Sequence, residues 1–144
     1  MINNIEADQY WNQMVPELTV TNFNKSLDFY INVLGFKVRF TRESPNFAYI
    51  YQETAQLMIE EFHKDGWNVG SLTKPLGRGV NFQIELDDIS SIYKKVVANR
   101  SLYQDIKDNW YQTNEEPIGQ REFLVQDPDG YLLRFCQELE QSET

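Results

Sequence analysis

The chain has 144 residues, 41% of them hydrophobic and 14% aromatic, which suits one packed domain and excludes a disordered polar chain. Its 13 Lys and Arg against 22 Asp and Glu leave a formal net charge of −9, a field that repels phosphate backbones and anionic lipid and argues against nucleic acid or a membrane as the main partner. One cysteine, Cys136, and one histidine, His63, exclude an intrachain disulfide, a CxxC metal site and a multi-histidine metal centre within the chain.

Residues 1–13 are polar, with Tyr10 and Trp11 as apolar anchors, and read as a short helical or irregular arm packing on the domain. The segment Met1 to Glu6 lacks the basic and apolar regions of a signal peptide, and no apolar run approaches the ~20 residues of a membrane span, so a cytoplasmic setting is expected. Residues 14–20 have strand character. Asn22 then caps a helix whose apolar positions Phe23, Leu27, Tyr30 and Leu34 follow a 3.6 period, and Gly35 closes it as a left-handed C-cap. Strands are predicted at 36–41, 47–51 and 56–62. Residues 64–78, rich in Gly, Lys, Ser and Pro, read as a linker.

The pattern then starts again. Residues 80–86 alternate as a strand, Asp88 caps, and Ile89, Ile92, Tyr93, Val96 and Val97 line a second helix. Residues 101–118 look less regular and carry Trp110. A hairpin follows, with strands at 121–126 and 131–136 around the turn Asp127-Pro128-Asp129-Gly130, and residues 139–144 form a polar, frayed tail. A shift of 66 positions carries Asn22 to Asp88, Leu18 to Ile84, Val20 to Leu86, Phe23 to Ile89 and Leu27 to Tyr93. A shift of 74 carries Gln52 to Gln126, Leu57 to Tyr131, Ile59 to Leu133 and Glu60 to Arg134. The expectation is an α+β domain over 14–138, built from two βαβββ modules (14–63 and 79–138).

Strand alternation sorts side chains into two faces. Leu18, Val20, Leu57, Ile59, Phe82, Ile84, Leu86, Leu133 and Phe135 belong under the helices, and Glu61 with them. The other face takes Val15, Glu17, Thr19, Met58, Glu60, Phe62, Asn81, Gln83, Glu85, Arg134 and Cys136. A sheet face open to water is also polar, but Val15, Met58, Phe62 and Cys136 suit solvent poorly. A mixed lining of aromatic, acidic and amide groups suits a ligand cleft.

Val15-Pro16-x-Leu18-Thr19, Leu34-Gly35-Phe36, Leu57-Met58-Ile59-Glu60 and Gly119-x-Arg121-Glu122-Phe123-x-Val125-x-Asp127-Pro128-x-Gly130 together resemble the vicinal-oxygen-chelate superfamily of glyoxalases, dioxygenases and bleomycin-resistance proteins, over residues 14–138. The run Asp127-Pro128-Asp129-Gly130-x-Leu132-Leu133-Arg134 places the resemblance nearest the bleomycin-resistance branch. It implies a cupped mixed sheet. Enzymes of that superfamily hold a divalent metal with His or Glu from four equivalent strand positions, which fall here on Val15, Glu60, Asn81 and Arg134. One anionic ligand facing a fixed cation is a broken tetrad, so the resemblance implies neither metal nor other cofactor. Glu60 is instead expected to pair with Arg134.

What the resemblance implies is a metal-free binding protein of bleomycin-resistance type, a homodimer paired side by side or by swapping, which sequesters a cationic or aromatic drug-like ligand without chemical change. Aligned to that branch, Phe40 and Phe47 match ring positions, Gln83 stands where some members place an aromatic residue, and Ile118 replaces the principal stacking Trp. Trp110 and Trp67 lie in irregular segments, from which either could supply a ring, although a packing anchor is the readier reading of Trp67. With Glu60, Phe62 and Arg134 these make the expected ligand-binding set. The alternatives are a metal-dependent glyoxalase- or dioxygenase-like enzyme with a shifted carboxylate site (Glu17, Glu60, Glu85), and an interaction domain with a vestigial cup.

Overall fold

In the computed structural model, which describes residues 10–140, the chain divides between Leu76 and Gly77 into two units that repeat one topology. Unit 1 runs β1 (Glu17–Val20), α1 (Phe23–Asp28) with a π-helical continuation (Phe29–Val33), β2 (Lys37–Arg42), β3 (Phe47–Gln52) and β4 (Ala55–Glu61). Its sheet order is β1-β4-β3-β2, with β1 parallel to β4 and the other neighbours antiparallel. Unit 2 runs β5 (Asn81–Glu85), α2 (Ser90–Ala98), β6 (Leu102–Tyr111), β7 (Ile118–Gln126) and β8 (Leu132–Leu139), in the equivalent order β5-β8-β7-β6. The predicted α+β class and the strand-helix-three-strand restart are both present. No helix among the described residues is long and apolar enough to cross a membrane.

The helix signals act as capping chemistry requires. Asn22 is extended (φ −134°), and its side-chain oxygen accepts from the Lys25 N–H at 3.1 Å. At the other end Gly35 has φ +85°, a left-handed conformation that only glycine adopts cheaply, while the Phe36 N–H reaches back to the Tyr30 carbonyl at 2.9 Å. Between them the helix widens, and the Leu34 N–H bonds the Phe29 carbonyl, five residues back. Ser26 and Phe29 thereby join Phe23, Tyr30 and Leu34 in the buried stripe, and Leu27 is only half-buried. In the second helix Asp88 accepts from the Ser90 N–H at 2.8 Å, but the N-cap position falls on Ile89, and Val97, expected to be buried, is exposed.

The expected irregular stretch 101–118 is corrected. Most of it is the ten-residue strand β6, and only the loop between Tyr111 and Ile118 is irregular. β6 is outermost in its sheet, exposed on both faces and interrupted by register shifts between Leu102 and Gln104 and between Gln104 and Lys107. Without a buried face it shows no period of two to read. The 64–78 segment carries neither helix nor strand, as its composition implies. Residues 1–9 of the arm and 141–144 of the tail lie outside the described residues, and Leu139, expected in the tail, ends β8.

Each sheet buries one face under its helix. Leu18, Val20, Ala48, Ile50, Leu57 and Ile59 line it in unit 1; Ile84, Phe123, Val125, Leu133 and Phe135 do so in unit 2, where Tyr93 of α2 meets Phe123 edge-on at 5.4 Å. Each Val, Leu, Ile or Phe side chain among them contributes about 1.5–3 kcal/mol by leaving water. Ile59→Ala is expected to cost about 2–5 kcal/mol, seen as a lowered denaturation midpoint, because it leaves a cavity in a closed core. Asn22→Ala is expected to cost about 1 kcal/mol in the same assay.

Candidate functional site

Residues directly opposed in an antiparallel pair share a face. Phe47 opposes Glu60 on one side and Arg42 on the other, and Tyr49 opposes Met58 and Phe40. The parallel pair sets Thr19 beside Glu60 and Glu17 beside Met58. Phe40, Phe47 and Glu60 therefore share the helix-free face of unit 1 with Arg42, Tyr49 and Glu17. The placement of Phe40 depends on a bulge. Arg39 is an extra residue between the pairs Val38–Ile50 and Phe40–Tyr49, and it turns Phe40 and Arg42 onto this face.

The rings there pack on one another. Phe40 stacks on Tyr49 (5.5 Å between centroids, 18° between planes) and lies 5.7 Å from Phe47. Trp11 from the arm stands edge-on to Tyr49 at 4.9 Å and to Phe40 at 5.9 Å. Residues 10–13 are irregular and pinned across the face: Gln56 Nε2 donates to the Tyr10 carbonyl at 2.9 Å, and its Oε1 accepts from the Asn12 N–H at 2.9 Å and from the Tyr49 hydroxyl. Two cations complete the layer. The Arg39 guanidinium lies 3.2 Å from the Trp11 ring centroid and that of Arg42 lies 4.0 Å from the Phe47 centroid.

Beside the rings a cavity of about 310 Å³ is lined by Glu17, Arg42, Glu60, His63, Asp65 and Trp67. His63 Nε2 lies 3.2 Å from Glu60 Oε1. Burial first, and then the Glu60 charge, raise the pKa of Glu17 above the ordinary carboxylate value. A neighbouring cavity of about 540 Å³ shares His63 and includes Phe62, Thr21, Lys64, Asn68 and Leu72. The loop between them is held by a 2.8 Å bond from Thr19 Oγ1 to Asn68 Oδ1 and one of 3.0 Å from the Gly66 N–H to the His63 carbonyl. Trp67 is 95% exposed, so the expectation of a packing anchor is corrected. Glu61, facing the helix side by alternation, accepts from Asn46 Nδ2 at 2.9 Å.

The corresponding face of unit 2 carries a polar cluster of its own. Arg134 donates from Nη2 to Gln83 Oε1 at 2.7 Å, and its Nη1 lies 3.9 Å from Glu122 Oε2. Glu122 Oε1 accepts from Asn109 Nδ2 at 2.7 Å and from the Tyr111 hydroxyl, a bond that raises the Tyr111 pKa. Ile118 sits opposite Tyr111 on this face. Trp110 does not: it opposes Gly119 on the other face, where a Cβ at Gly119 would come within 2.6 Å of the indole. A ring from Trp110 beside Ile118 is thereby corrected, because successive strand residues point to opposite faces. Cys136 is fully buried beside Glu85 and Glu122, and burial pushes its thiol up to about 11.

Within its own unit Glu60 meets His63, and Arg134 meets Gln83 and lies near Glu122. The register also alters the repeat. Thr19 lies beside Glu60 and Gln83 beside Arg134, so if Glu60 and Arg134 correspond, Asn81 answers to Glu17 rather than to Val15. With either match, the guanidinium of Arg134 is a poor neighbour for a divalent ion. Among the described residues no group of three His, Cys, Asp or Glu side chains is arranged to hold a metal. Sequence reasoning missed Arg42, Tyr111 and Glu122. Alternation opposite Phe123 and Val125 would have found Glu122; Tyr111 was hidden by the irregular reading of β6.

The family model of the Glyoxalase/Bleomycin resistance protein/Dioxygenase superfamily matches residues 11–135. The bleomycin resistance protein of Geobacillus stearothermophilus is 26% identical over 137 residues, covering 88% of this chain and 97% of that one. Among solved structures, TioX from Micromonospora sp. ML1 is similar in fold (TM-score 0.67, 20% identity, 89% of this chain and 99% of that one). So is a glyoxalase/bleomycin resistance protein/dioxygenase from Alicyclobacillus acidocaldarius (TM-score 0.61, 19% identity, 90% and 93%). With most of its length matched and two four-stranded mixed sheets of the same design, the chain belongs to the glyoxalase/bleomycin resistance protein/dioxygenase superfamily.

Proposed function

We propose that this chain is a binding protein of the bleomycin-resistance type, which sequesters a cationic or aromatic drug-like molecule without chemical change. The observation that carries the reading is the 310 Å³ cavity of unit 1, where Glu17, Glu60 and Asp65 outnumber Arg42 and an indole stands at the wall. Its size lies at the lower end of the range for small-molecule sites, and it combines apolar surface with a few charged groups. The net charge of −9 adds a long-range field that concentrates cations near it. The likeness to a named bleomycin resistance protein supports the same class of ligand. The reading carries no metal, and a divalent ion is not needed to hold an organic cation between carboxylates.

A homodimer in the cytoplasm belongs to the same proposal. β2 and β6 are outermost in their sheets and exposed along most of their length, and such edges are where a second subunit gains backbone or side-chain contacts.

Isothermal titration of metal-stripped protein with copper-free and copper-loaded bleomycin tests the reading. Saturable binding is expected, and absence of heat with both forms removes bleomycin as the ligand. Glu60→Gln is expected to weaken binding about tenfold, the worth of one charge-assisted contact. Affinity is also expected to fall as pH is lowered through the range where Glu17 takes up its proton, which lies above that of an ordinary carboxylate. The protonated form offers no charge to a cation, so the loss occurs on the acid side; an affinity flat across that range would remove Glu17 from the site.

A further inference from the structure

The aromatic face of unit 1 holds several rings, but few present a free π surface. Phe47 is 2% exposed and lies under the Arg42 guanidinium. Trp11 carries Arg39, and Phe40 and Tyr49 are stacked on each other. A planar cation arriving here would have to displace an arginine or separate a stacked pair of rings. Trp67 is different. It lines the acidic cavity, it is 95% exposed, and among the described residues its ring packs against no other ring and carries no cation. It is displayed by a loop held through the Thr19–Asn68 and Gly66–His63 bonds.

We infer that Trp67 is the ring against which this chain stacks a planar cationic group, over a floor that includes the carboxyl groups of Glu17 and Glu60. This rests on the reading of the cavity as a small-molecule site and deepens it by naming the stacking residue and the chemistry recognised: a flat, delocalised cation such as a protonated aminoheteroaromatic ring or an arylamidinium. The indole face attracts positive charge through its quadrupole and loses exposed apolar area on contact, while the carboxylates below supply the opposing charge. A neutral flat ring would gain only the stacking, and a compact ammonium the charge attraction with little contact area. Both together select for charge spread over a plane.

The experiment is calorimetry on wild type, Trp67→Ala and Trp67→Phe with two probes, the proflavine cation and copper-free bleomycin, and with the tryptophan indole N–H resonances followed by NMR during each titration. Thermal unfolding of both variants is expected to match wild type, because the side chain is almost wholly exposed. Proflavine Kd is expected to rise about tenfold in Trp67→Ala and to stay within about threefold in Trp67→Phe, and the indole signal missing from the variants should be the one most shifted in wild type. If bleomycin fails to bind while proflavine binds in a Trp67-dependent way, the stacking subsite stands and the bleomycin reading falls. If bleomycin binds wild type and Trp67→Ala equally and the Trp67 signal does not move, the sequestration reading stands and the subsite is overturned. If neither probe binds wild type, both are overturned.

Discussion

The chemistry of unit 1 depends on the parallel pairing of β1 with β4. That register sets Thr19 beside Glu60 and places Glu17 one pleat away on the same face, so that two carboxyl groups face one cavity. It is enforced from the opposite side of the sheet, where Leu18, Val20, Leu57 and Ile59 must all lie under the helix. A slip of one residue would expose that apolar set and bury the carboxylates, a cost far larger than the pair itself is worth. The acidic corner is thus held by the hydrophobic face behind it.

The same logic explains why the aromatic face is occupied by its own cations. The bulge at Arg39 swings Phe40 and Arg42 onto the helix-free side, and the arm lays Trp11 beside them. Planar guanidinium groups on ring faces are a low-cost way to cover aromatic surface without burying an unpaired charge, since each keeps some contact with water. The cavity walls then inherit one positive edge, Arg42, among acidic groups, and the ring left uncovered is Trp67.

The two units show how one topology supports different chemistry. In unit 1 the position of Glu60 is met by His63, three residues along the chain, and the neighbouring carboxyl of Glu17 is protonated more readily than usual. In unit 2 the corresponding strand carries Arg134, which is drawn to Gln83 and toward Glu122, itself held by Tyr111 and Asn109. The first arrangement leaves charge facing a cavity. The second ties Arg134 to Gln83 and Glu122 to Asn109 and Tyr111, and leaves Glu122 Oε2 and Arg134 Nε buried without a hydrogen-bond partner.

Local physics determined much of this before any tertiary contact. Asn22 and Gly35 bracket a helix because one side chain satisfies an orphan N–H and one residue lacks a Cβ. Alternation sorted Leu57 and Ile59 from Met58 and Glu60, and the restart after residue 78 announced a second copy of the same unit. Tertiary structure decided the rest, because it depends on partners distant along the chain. β6 exists because β7 offers an edge to pair with, not because its own residues alternate. Trp110 faces away from Ile118 because the register with Gly119 puts it there. Glu60 meets His63, Phe40 turns by a bulge, and Trp67 is exposed over an acidic cavity. Backbone propensity and apolar periodicity are written residue by residue, whereas bulges, registers and the choice among competing charge partners are settled only when strands meet.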